Sequence, residues 1–114
     1  MNLSEATPEL LDRVAERFAA LSDPTRLRLL LALRGAELGV SELAAAAGIS
    51  QPSASKHLAA LRRAGLVRVD RVGTKAVHRV EDASVYDLCG LVCEGVVRHQ
   101  AARHAALLGD GEGI

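Results

Sequence analysis

Two thiols, Cys89 and Cys93, and a run of small polar and basic side chains between Ser50 and Arg63 are where this 114-residue chain concentrates its chemistry. The thiols stand four apart in a stretch of helical periodicity. They therefore share one face, with Cα atoms about 6 Å apart on an ideal helix. Two thiolates so placed can bind a soft metal or metalloid ion. They can also be oxidised, although their nearly parallel Cβ vectors would strain a disulfide within the helix. The plain alternative is packing, because free cysteine fills cores as a small hydrophobe. No base flanks the pair, and the acids Asp87 and Glu94 disfavour the thiolate. His99 and His104 are weaker candidates for the same sensing role, as ligands for nickel or zinc.

The second group reads Ser50-Gln-Pro-Ser-Ala-Ser-Lys-His-Leu-Ala-Ala-Leu-Arg-Arg-Ala-Gly65. Ala54, Leu58 and Leu61 fall on one helical face. Gln51, Ser53, Ser55, Lys56 and His57 lie on the other, towards the N-terminal end. Short polar groups in that arrangement can reach base edges and phosphates from the major groove of double-stranded DNA. Arg62 and Arg63, further along, suit phosphate or acidic neighbours. No acid occurs between Ser50 and Val69, whereas an ordinary solvated helix would carry glutamates and ion pairs. The zero net charge hides this bias: residues 51–80 carry +6, residues 1–50 carry −2 and residues 81–114 carry −4. A basic middle between acidic ends is the footprint of a polyanion-binding surface.

The elements that must hold these residues follow from period and punctuation. Residues 1–7 show no periodicity and read as a flexible arm. Leu11, Val14, Phe18 and Leu21 mark an amphipathic helix opened by Thr7-Pro8, and Asp23-Pro24 opens a second that ends near Leu33. Ser41 reads as the cap of a short helix over 42–47. Gly48-Ile49-Ser50 is then a tight turn into the helix ending at Gly65, which makes a helix-turn-helix. The period next falls to two. Leu66, Val67 and Val69 begin a strand, Val72-Gly73-Thr74 turns, and Ala76 to Val80 returns, a hairpin that forms a wing. Its bases Arg68, Arg71, Lys75 and Arg79 are expected on phosphate or in the minor groove. A long helix runs from about Ser84 to Leu108, and residues 109–114 read as a flexible tail. The domain is thus 8–108, mainly α with a small β-hairpin, in the order α-α-α-α-β-β-α.

Other classes find little support. No apolar stretch is long enough to span a bilayer, so no membrane association is expected. Residues 1–20 lack the pattern of a signal peptide. Two cysteines four apart are not a secreted disulfide framework, which points to a reducing cytoplasm. No phosphate loop, activated nucleophile or carboxylate pair suggests an enzyme.

Three segments, Leu21-Ser-Asp-Pro-Thr-Arg-Leu-Arg-Leu-Leu30, Ser50 to Leu66 with its Ala-Gly-Leu ending, and the hairpin beyond, resemble the ArsR/SmtB family of metal- and redox-responsive bacterial repressors. The resemblance covers about residues 8–105. It implies a homodimer joined through the first and last helices, binding operator DNA until an inducer releases it. It also implies cytoplasmic, nucleoid-associated action. At the dimer, a partner subunit could complete the ligand set of Cys89 and Cys93, and oxidation would either distort the helix or link two subunits. Two familiar metal sites of that family are not intact. Glu37-Leu38-Gly39-Val40-Ser41-Glu42-Leu43 has Gly39 and Ser41 where thiols would stand. Asp87-Leu88-Cys89 opens the other site, but its spacing leads on to Gln100 and Arg103. The competing readings are a winged-helix repressor with no small-molecule sensor, and a winged-helix module that binds another protein.

Overall fold

The computed structural model describes residues 1–107; Leu108 and the expected tail 109–114 lie outside them. The element order is α1 (Pro8–Ala20), α2 (Pro24–Ala32), α3 (Val40–Ala47), α4 (Gln51–Arg63), β1 (Val67–Val72), β2 (Lys75–Val80) and α5 (Ser84–Leu107). This is the expected winged helix-turn-helix order. Residues 1–7, read as an arm, contain one turn of 3-10 helix at Leu3–Glu5, capped by Asn2 and Glu5.

Each helix start is written in the sequence. Thr7 Oγ1 accepts the Leu10 amide, Asp23 Oδ1 accepts the amides of Thr25 and Arg26, and Ser50 Oγ accepts that of Ser53. A proline follows each cap, where a missing N–H costs nothing. Helix α3 starts two residues earlier than expected. Glu42 reaches back to the Gly39 amide at 3.0 Å, so Gly39 takes the cap position and Ser41 falls inside the first turn. The turn into α4 rests on Gly48, whose φ of +68° closes α3 in a conformation that a side chain would strain.

The chain forms two compact units, Met1–Asp82 and the segment beginning at Ala83. In the first, α2, α3 and α4 enclose Leu29, Leu33, Leu43, Leu58 and Leu61, none more than 1% exposed. Each such leucine contributes about 1.5–3 kcal/mol by leaving water. Ala44, Ala47 and Ala54 let the helices approach closely, and Leu66 and Val67 carry the core into the wing. Helix α1 is attached by two arginines. Arg17 Nε donates to the Ala64 carbonyl at 3.1 Å, and Arg26 of α2 donates to the Ala19 and Ala20 carbonyls. Its apolar stripe is nevertheless uncovered, with Leu11 41% and Phe18 53% exposed.

The wing is antiparallel, with Val67 opposite Val80 and Val72 opposite Lys75. Gly73 has a positive φ and Thr74 does not, the pattern of a type II′ two-residue turn. Leu38, just before α3, adds a single bridge to β2. Its amide donates to the His78 carbonyl at 3.2 Å, and the His78 amide donates to the Leu38 carbonyl at 2.7 Å. The second unit is the 24-residue α5. Its apolar side chains Leu91, Val92, Val96 and Val97 are at least half exposed. No helix of the described residues is long and apolar enough to cross a membrane.

Candidate nucleic-acid interface

Helix α4 turns Ala54, Leu58 and Leu61 into the core, which fixes what remains outside. Ser55 and Lys56 are exposed near its N-terminal end, and Lys56 has no partner among the described residues. These two, with exposed Arg62 and Arg63, are side chains of α4 left free to meet a polyanion. Of the other three expected readers, Gln51 and His57 have side chains engaged within the chain and Ser53 is partly covered. Gln51 is exposed but donates from Nε2 to Ser41 Oγ at 2.6 Å, tying the start of α4 to α3. Ser53 is half-buried, its amide held by the Ser50 cap. His57 is half-buried as well, with Nδ1 3.5 Å from Arg26 Nη1. Arg26 therefore joins the end of α1 to the middle of α4, a link that sequence reading missed.

Asp23 beneath this link is a stronger acid than an ordinary aspartate. The Arg26 amide lowers its pKa most, desolvation opposes that, and the Thr25 amide and the charges of His57 and Arg26 add to the lowering. The cap therefore stays ionised to lower pH than a free carboxyl.

The wing bases fall into two groups. At the tip, Lys75 has no partner among the described residues, and Arg71 bonds only the Thr74 carbonyl, at 3.3 Å. At the root, Arg68 and Arg79 face each other across the strands, where like charges repel. Acids neutralise them. Arg68 Nε lies 3.2 Å from Asp70 Oδ2, and its Nη1 lies 3.9 Å from Glu81. Arg79 pairs closely with Glu37 through Nη2, and its Nε stands 3.2 Å from Asp70 at an angle too poor for a hydrogen bond. The bond from Arg79 holds the Glu37 carboxyl below the usual carboxylate range and raises Arg79 in turn. Asp70 was legible in advance, since Arg68 and Asp70 share a strand face at period two; Glu37 was not.

His78 sits beneath the root, 8% exposed, with Nδ1 lacking a hydrogen-bond partner among the described residues. Burial lowers its pKa, the Leu38 backbone opposes that, and the Arg62 charge adds to it. Neutral imidazole is thus the form that fits.

On α5, Cys89 is half-buried and Cys93 exposed, and neither is in a disulfide. Burial raises the Cys89 thiol pKa, and the neighbouring Cys93 raises it further. A shallow apolar depression beside Cys93 is lined by Glu94, Val97 and Arg98. His99 and His104 are exposed further along, and the fold does not bring them to the thiols. Among the described residues no three His, Cys, Asp or Glu side chains converge to hold a metal. Within one chain the cysteines are a two-donor site.

Residues 23–69 match the model of the bacterial regulatory proteins of the arsR family. The chain is 45% identical over 75 residues to the transcriptional regulator KmtR of Mycobacterium tuberculosis, covering 66% of this chain and 58% of that protein. It is 42% identical over 97 residues to a probable mercury resistance operon repressor of Streptomyces lividans, covering 85% and 74% respectively. The chain spans 58% of the length of KmtR, and likewise of a Synechocystis homologue of the repressor SmtB. Among solved structures, a homodimeric winged helix-turn-helix DNA-binding domain from Mycobacterium bovis superposes with a TM-score of 0.74 at 34% identity. That match covers 87% of this chain and 92% of the other.

Proposed function

The chain belongs to the ArsR family of bacterial regulatory proteins, and from that premise we propose that it is a homodimeric transcriptional repressor, released from operator DNA by a soft metal or metalloid ion at Cys89 and Cys93. The observation that carries the DNA-binding part is the partition of basic residues. Lys56 on α4 and Lys75 at the wing tip are unpaired within the described residues, while the acids gather at the wing root. Lys56 and Ser55 would face the major groove, and Arg71 and Lys75 would hold backbone phosphate. Gln51 and His57 would support α4 from within, and each could still turn outward when DNA approaches.

Dimerisation accounts for two apolar surfaces left bare in a single chain, on α1 and on α5. A second copy is the simplest cover for them, and the Mycobacterium bovis relative is described as homodimeric. The cytoplasm is the compartment in which such a repressor would act.

For the inducer, thiol chemistry favours a metal over an oxidant. Burial, with Cys93 alongside, raises the pKa of the Cys89 thiol, which leaves less of the thiolate that attacks peroxide. A soft cation bridging both sulfurs would instead offset the mutual repulsion of two thiolates, and a ligand from a partner subunit would complete the site. Binding would release protons, so metal affinity should rise with pH. The names of relatives point the same way, since one is a probable mercury resistance operon repressor. Nickel or zinc at His99 and His104 is the second reading, favoured only by the exposure of both imidazoles.

Fluorescence anisotropy of the reduced protein on labelled DNA from upstream of its own gene tests the proposal. Tight, salt-sensitive binding lost on adding mercuric ion or arsenite supports both parts. Loss with nickel or zinc alone moves the sensor to the histidines. Binding indifferent to every ion leaves a repressor without a sensor, and no binding at any salt overturns the reading.

A further inference from the structure

The wing meets the rest of its unit through buried Val67 and His78, the Leu38 bridge and one ion pair, and most of its charged side chains gather at that root. Glu37 stands just before α3, and its carboxylate pairs with Arg79 on β2. One residue along, Leu38 and His78 exchange both backbone hydrogen bonds. Asp70 lies 3.2 Å from both Arg68 and Arg79, and Glu81 closes the chain of charges at the end of β2. Five ionised side chains from three places in the sequence thus meet at the root of a two-stranded hairpin. Two strands alone are marginal in water, so the hairpin needs such support to keep one orientation.

We propose that the Glu37–Arg79 pair is a tie that sets the wing's placement against the helix-turn-helix, so that Glu37 is a positioning residue for DNA binding and Arg79 is not a phosphate contact. This rests on the DNA-binding reading above but has its own observable. The tie presents Arg71 and Lys75 in fixed register with α4. It also explains why a surface that attracts phosphate keeps three carboxylates in its midst.

The sign of one substitution separates this from simple electrostatics. Removing a carboxylate beside a DNA-binding surface should strengthen binding if charge alone matters. If Glu37 positions the wing, Glu37→Gln weakens binding by about three- to fivefold, the scale of an exposed ion pair. The slope of affinity against salt stays unchanged, since no phosphate contact is lost. Arg79→Glu weakens binding further. The double variant Glu37→Arg with Arg79→Glu restores the pair; Arg68, opposite position 79, attracts the reversed charge and offsets its repulsion by Asp70, 3.2 Å from Arg79 in the unaltered chain. It should return to within about threefold of the unaltered chain.

Hydrogen exchange in the free protein reads the tie without DNA. Glu37→Gln should speed exchange of the His78 amide, and the double variant should slow it again. Thermal unfolding of each variant checks that the fold survives. Faster exchange with no DNA bound by the unaltered chain would keep the tie and discard the DNA reading. Unchanged exchange, stronger binding by Glu37→Gln, or a double variant as weak as Arg79→Glu alone would each overturn the proposal.

Discussion

Helices α4 and α5 both carry the residues that give this chain its chemistry, yet they stand in opposite relation to water. Helix α4 buries Ala54, Leu58 and Leu61 almost completely and shows solvent a polar face. Helix α5 leaves Leu91 68% and Val97 66% exposed. The first is packed by the chain it belongs to; the second leaves an apolar side uncovered in a single chain. A reading head must hold one shape before it meets DNA, so its packing is internal. On the proposed reading, α5 is a sensing helix that keeps its apolar side for a second subunit.

The contrast can be broken most directly by cavity formation. Leu58→Ala should cost about 2–5 kcal/mol of unfolding free energy, whereas Leu91→Ala should cost less than about 0.5 kcal/mol in dilute solution. Denaturant titration of both variants measures the difference, and equal losses would mean that α5 is as well packed as α4. Next in size is Lys56→Glu. It should lower affinity for the upstream DNA by on the order of a hundredfold while sedimentation shows the dimer intact. Retained affinity would remove α4 from the interface. The joint variant Cys89→Ser, Cys93→Ser should change DNA affinity by less than about twofold but abolish release by mercuric ion or arsenite. Release that persists would return the cysteines to a packing role.

The smallest expected effect is a pH dependence of stability. Burial lowers the pKa of His78 in the folded state, so below the unfolded value of about 6.5 the unfolded chain binds the proton more readily. Stability is therefore present above that pH and is lost as pH falls towards the folded pKa. The loss should appear as a Tm lowered by roughly a few degrees between pH 7 and pH 5. Glu37 and Asp23, whose pKa values lie below 4.5 and 3.8, titrate in a lower window and do not confuse it. His78→Gln should flatten that interval, and an unaltered slope would assign the titration elsewhere.

Much of this was visible in the residues because the signals are local. Thr7, Asp23 and Ser50 cap the helices they precede, Gly48 makes the turn, and the change of period after Gly65 announces the wing. What the sequence concealed is contact between distant residues. Arg68 and Arg79 read as unpaired bases in the sequence, and only the fold sets Glu81 and Glu37 beside them. The Leu38 bridge is one residue long and has no periodicity to betray it. His57 looks like a base reader on a helical wheel, but its ring lies beside Arg26, 31 residues back.

The boundary at Asp82–Ala83 has a bearing on descent. Every buried leucine of the helix-turn-helix, and every charge of the wing root, lies before it; the cysteine pair lies after it. On the proposed reading, substitutions that retune the cysteine pair to another inducer fall in a different segment from the leucines that shape α4. Selection could then explore new signals in one segment while an inherited operator vocabulary is kept in the other.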